Sequence, residues 1–129
     1  MPYGPGVLEP GLSAVVEEIV TDSDTAVALG SGDVEVLGTP RVLALLEAAT
    51  VASLAGALDP ALTTVGTRVE LDHLAPSPVG ATVRAGAELV EVAGGRLTFQ
   101  VRMSQAGRDV ARGRVVRAVV DRDRFASGR

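Results

Sequence analysis

From Leu12 to Val20 apolar and polar residues alternate, with Leu12, Ala14, Val16 and Val20 on one side and Ser13 and Glu17 on the other. That period predicts a half-buried strand. Glu18 falls on the apolar side, which places it at a sheet edge or near the strand's end. Thr21 to Gly38 is polar and glycine-rich, interrupted by Ala26–Leu29 and Val34–Leu37. It is too long for a plain turn and predicts a short ordered piece, then a crossing. From Thr39 to Leu58 alanine and leucine dominate, both strong helix formers. Thr39 suits the N-cap and Pro40 the first helical position. Gly56 and Pro60 mark the end. This helix is apolar nearly all round, so most of its sides should be buried.

Alternation returns at Val65. Val65, Thr67, Val69, Leu71 and His73 share one predicted face, opposite Gly66, Arg68, Glu70 and Asp72. Pro76-Ser77-Pro78-Val79-Gly80 stops this strand. Val83 to Val92 is a further strand whose phase breaks between Leu89 and Val90, the mark of a bulge. Gly94-Gly95 reads as a hairpin turn. It is not a phosphate loop, because no helix follows. Arg96 to Ser104 turns Leu97, Phe99, Val101 and Met103 inward. Gln105 to Arg108 is a turn, and Asp109 to Val120 is the last strand, interrupted by Arg112, Arg114 and Arg117. Residues 1–11 read as a loose arm and 121–129 as a fraying tail. The order is strand, loop, helix, then four strands joined by hairpin-like turns, within one domain spanning 1–129. The predicted class is α+β, one long buried helix wrapped by a curved antiparallel sheet. One sheet leaves part of that helix near an opening, so a second copy of the chain is its natural cover and a homodimer is expected.

Composition narrows the chemistry. The 129 residues are 47% hydrophobic, which argues against disorder. The net charge of −4 does not favour a nucleic-acid partner. All 12 basic residues are arginine. With no cysteine there is no disulfide, thiol nucleophile or thiolate metal site, and one histidine excludes a multi-histidine metal site within a chain. No metal is therefore expected. The N-terminus lacks the basic start and apolar run of a signal peptide. No apolar stretch reaches the roughly 18 residues a bilayer span needs. A cytoplasmic protein without membrane contact is the expectation.

Glu47 conflicts with its surroundings. Its neighbours at helical spacing are Leu43, Thr50, Val51 and Leu54. An unpaired carboxylate there costs several kcal/mol, so either it reaches water or it has work to do. His73 on an apolar face is the chain's one group with an ordinary pKa near neutrality, although core histidines are common. Thr39 is explained by capping alone, yet a cap hydroxyl can also hold a substrate oxygen. Gly66 inside a strand indicates either a bulge or close approach of a ligand or another backbone.

Gly38-Thr39-Pro40-Arg41 leads the helix, Glu47 lies eight positions after Thr39, and His73 lies 26 after Glu47. Thr64-Val65-Gly66-Thr67 and His73-Leu74-Ala75-Pro76 complete a pattern covering roughly Leu12 to Val120. It resembles the fluoroacetyl-CoA thioesterase-like branch of the hot-dog thioesterases. The resemblance implies a homodimer hydrolysing an acyl-CoA in a pocket near the subunit seam, with no cofactor beyond the CoA of the substrate. It implies Thr39, Glu47 and His73 as the catalytic set, Gly66 as a glycine whose backbone lies against the thioester, and Arg117 as an arginine near the site. Glu47 would attack the carbonyl or deprotonate water, and His73 would move a proton. Thr39 would orient, and the N–H groups of the helix start could meet an oxyanion. Arg112, Arg114 and Arg117 could meet CoA phosphates, with a solvated sheet face the alternative for each. The fluoroacetyl-specialised branch carries phenylalanines in a lid before the helix. Thr21–Gly38 has none, which argues for a small or medium acyl group rather than fluoroacetyl selectivity. Two other functions fit the same residues: a hot-dog enoyl-CoA hydratase or dehydratase, and a non-catalytic acyl-CoA-binding dimer module.

Overall fold

The computed structural model of the chain describes residues 8–128. Five strands form one antiparallel sheet: β1 (Ser13–Ile19), β2 (Leu62–His73), β3 (Thr82–Ala93), β4 (Arg96–Gln105) and β5 (Arg108–Asp121). Their order is β1-β3-β4-β5-β2. The helices among the described residues are α1 (Ala26–Leu29), the long α2 (Thr39–Ser53) and α3 (Arg122–Ala126), and a 3-10 turn at Asp22–Asp24 precedes α1. The α+β arrangement of one long helix against a curved antiparallel sheet is the expected one.

The core lies between α2 and the sheet's inner side. Val42, Leu45, Leu46 and Ala49 point down from the helix, and Leu97, Phe99, Val101 and Met103 rise from β4, as their alternation predicts. Each leucine so buried contributes about 2 kcal/mol. The helix packs chiefly against β1 and β3. Its other side, with Ala44, Ala48, Val51 and Ala52, is exposed in the single chain. Glu18 does lie on an edge strand, and it is paired there with Arg41 of the helix.

Several expectations are corrected. The connection from β2 to β3 is not a hairpin, because β2 pairs with β5 and β3 pairs with β1 and β4. The expected bulge in β3 falls between Leu89 and Glu91. A second one, in β2 between Gly66 and Arg68, re-phases that strand. Thr67 is the extra residue, its hydroxyl bonded to the Val116 carbonyl at 3.2 Å. Thr64 and Gly66 therefore face the helix before the bulge, and Leu71 and His73 after it. The uninterrupted face from Val65 to His73 does not exist. Helix α2 begins one residue early, with Gly38 as N-cap and Thr39 already helical, and it ends at Ser53. The tail expected to fray folds into α3, capped by the Asp121 carboxylate on the Arg124 amide. Arg122 also ties it to the carbonyls of Pro60, Ala61 and Leu62. Residues 1–7 of the supposed loose arm lie outside the described residues. Leu8 is buried in the core and Gly11 donates to the Leu89 carbonyl, so the arm's end is anchored.

Candidate active site

The side chains singled out in the sequence gather in two clusters along α2. The first is at the helix start. With Gly38 as N-cap, the Thr39 hydroxyl is not needed for capping. It shares a 2.7 Å hydrogen bond with His73 Nδ1 at the end of β2. The other ring nitrogen, Nε2, is buried and has no hydrogen-bond partner among the described residues. Burial pushes the imidazole below its usual pKa, and the nearby Ala75 backbone, which favours the charged form, only partly opposes it. A neutral ring with one nitrogen anchored and the other unengaged is suited to moving a proton. The helix start offers fewer amides than expected. Pro40 has no N–H, and those of Arg41 and Val42 both donate to the Gly38 carbonyl at 3.0 Å. Thr39 carries the one N–H left for an oxyanion.

The second cluster is two turns further along. Glu47 Oε2 accepts from Arg117 Nη1 at 3.2 Å. Arg117, only 9% exposed at its side chain, donates through Nε to the Thr64 hydroxyl at 2.9 Å and through Nη2 to the Thr64 carbonyl at 3.0 Å. The solvated sheet face offered as its alternative is thus wrong for Arg117, while Arg112 and Arg114 are exposed on the outer side. Burial lowers the Arg117 pKa and Glu47 opposes the shift. Glu47 answers the conflict noted in the sequence twice over: it has a cationic partner and is still 34% exposed. Gly66 lies against it. A Cβ added there would stand 2.7 Å from Glu47 Oε2, so any side chain at position 66 would push the carboxylate away. Gly66 does adjoin a bulge, and what approaches it closely within the chain is the Glu47 side chain.

The chain does not bring the two clusters together. Thr39 and Glu47 are roughly 12 Å apart along the helix axis, and Gly66 and His73 are roughly 20 Å apart along β2. A groove of about 930 Å³ lies elsewhere, on the sheet's outer side between Val15, Gly86, Arg102 and Arg112. Among the described residues no group of three acidic or imidazole side chains could hold a metal ion. No helix there is long and apolar enough to cross a membrane. In the sequence Arg41 stands only as part of the motif that leads the helix, and Asp24 has no role there. A cation in the first turn of a helix, where the helix field favours anions, was the signal available.

A family profile described as fluoroacetyl-CoA-specific thioesterase matches residues 20–123. The fluoroacetyl-CoA thioesterase of Streptantibioticus cattleyicolor is 34% identical over 91 residues, which are 70% of this chain and 66% of that protein. A crystal structure of a point variant of the fluoroacetyl-CoA-specific thioesterase FlK matches with a TM-score of 0.89 at 27% identity, covering 96% of each chain. A thioesterase-superfamily member from Thermus thermophilus matches with a TM-score of 0.84 at 25% identity, covering 92% of this chain and 88% of the other.

Proposed function

Because the chain belongs to the fluoroacetyl-CoA-specific thioesterase family, we propose that it hydrolyses a small or medium acyl-CoA to the free acid and CoA, at a site completed by two copies of the chain. The observation that carries this reading is the division of one chain's polar groups into two fixed clusters on one helix, flanked by an exposed stripe of small apolar residues. A two-fold axis near Leu43 and Ala44, midway between Thr39 and Glu47, sets Thr39 of one chain opposite Glu47 of the other. Ala44 and Ala48 let the helices approach, and such a symmetric interface forms two equal sites.

In each site Glu47 of one subunit attacks the thioester carbonyl or deprotonates a water that does. Arg117 holds that carboxylate in place, and the missing side chain at Gly66 lets the thioester lie against the strand. The Thr39 amide meets the developing oxyanion. The C–S bond breaks, and His73 Nε2 accepts a proton released by the attacking water and hands it to the departing sulfur, while Thr39 Oγ1 holds the ring through Nδ1. Water supplies the oxygen of the acid. Thr21–Gly38, which has no aromatic side chain, leaves room for an acyl group beyond two carbons.

The test is free-thiol release from acyl-CoAs of increasing length, by the parent, by Glu47→Ala, by His73→Ala, and by the two variants refolded together. The parent releases thiol and each variant alone does not. The mixture recovers about a quarter of parent activity, because half the dimers are mixed and one of their two sites is intact. A parent that releases no thiol overturns the hydrolase reading. A mixture that stays inactive overturns the shared site.

A further inference from the structure

Arg41 carries the wrong charge for its place, a cation in the first turn of α2. Two carboxylates from two other elements answer it. Glu18 on β1 accepts from Nη2 at 2.5 Å and from Nε at 3.2 Å, and Asp24 Oδ1 stands 3.2 Å from Nε. Asp24 is itself held from its far side, where Oδ2 accepts from the Thr21 amide at 2.8 Å and the Thr21 hydroxyl at 2.9 Å. Its backbone carbonyl accepts from the amide of Gly38, the residue before Thr39, at 2.9 Å. Gly38 is closely packed, since a Cβ there would stand 3.0 Å from Ala26 Cα and from Leu29 Cδ1. On the opposite side the Leu37 amide donates at 2.8 Å to the carbonyl of Ser77, four residues past His73. The start of α2 is thus gripped between the loop carrying Asp24 and the loop leaving His73.

We infer that Arg41 is a positioning residue: by joining Glu18 and Asp24 to the first turn of α2, it sets where Thr39 stands against the His73 ring. The inference rests on the reading of Thr39 and His73 as part of the hydrolytic site. A pair that only stabilised the surface would need neither two partners on two elements nor the backbone link through Gly38. Truncating Arg41 leaves two acidic groups facing each other and frees the helix start by a fraction of a turn, enough to lengthen the Thr39–His73 hydrogen bond. Misplacements of that order cost about tenfold or more in rate.

His73 is the only histidine, so its ring signals in a proton–nitrogen NMR titration need no assignment. We compare the parent with Arg41→Gln, Thr39→Val and the double variant, recording the ring titration, kcat and KM on an acyl-CoA that the parent turns over, and the melting curve. Arg41→Gln is expected to move the ring's titration toward the ordinary histidine value and to lower kcat about tenfold with KM within about twofold. In the Thr39→Val background it adds nothing to either. The inference is overturned if Arg41→Gln melts earlier but leaves the titration at the parent's position, or if its effect persists in full without the Thr39 hydroxyl. Should Arg41→Gln not fold, Asp24→Asn, which keeps the loop's backbone bonds, is held to the same outcomes. The titration is read whether or not the parent turns over substrate. A parent inactive on every acyl-CoA sinks the hydrolase reading, and an unmoved ring sinks this one.

Discussion

The start of α2 and its middle hold their polar groups in opposite ways. At the middle, Glu47 is locked by a guanidinium that is itself locked to Thr64, and a strand without a side chain at Gly66 lies against it. At the start, His73 is held through one nitrogen by one hydroxyl, and its second nitrogen has no protein partner among the described residues. A carboxylate that must meet a carbonyl carbon gains from immobility. An imidazole that must hand over a proton gains from an unengaged nitrogen, provided its ring cannot rotate. The contrast teaches that the two clusters answer to different demands and should fail differently.

The sharpest way to test the contrast is to remove each group. Glu47→Ala and His73→Ala each lower kcat about 100-fold or more, while only Glu47→Ala lowers stability, by about 1–2 kcal/mol, because it strips a buried guanidinium of one partner. Equal urea midpoints for the two variants would erase the distinction. A smaller effect comes from Gly66→Ala. The added carbon displaces the flexible end of Glu47, so turnover falls about tenfold with the melting temperature nearly unchanged. A variant of full activity would show that the carboxylate's place does not matter. The smallest effect concerns pH. Burial holds the His73 pKa below its ordinary value of 6.5, so the unfolded chain takes up the proton first. This contribution to stability is complete above pH 6.5 and is lost as pH falls through the folded-state value. Below pH 6.5 the urea midpoint of the parent should therefore fall relative to that of His73→Gln, and a constant gap would contradict the buried neutral ring.

Much of this was legible in the sequence because it is local. The β4 alternation, the Gly94-Gly95 hairpin, the break after Leu89 and the buried helix all depend on neighbours within a few residues. The bulge at Thr67 was not legible. Val65, Thr67 and Val69 are all β-branched, so either side of a sheet accepts them and the pattern runs on without a visible seam. The partnership of Glu47 and Arg117, 70 positions apart, depends on how β5 returns beside β2, which no periodicity reports. Thr39 was misread as a cap because Gly38 has no side chain with which to advertise that role. Its bond to His73 again spans distant elements.

The segment before α2 is fastened near both of its ends. The Ala26 amide donates to the Val36 carbonyl at 2.8 Å, and Thr25 bridges Leu37. The residues between, 27–35, carry Val27, Leu29 and Val34 on the outside. Such a stretch behaves as an exchangeable cassette. On the function proposed above, its length and side chains can drift over generations and retune which acids are released.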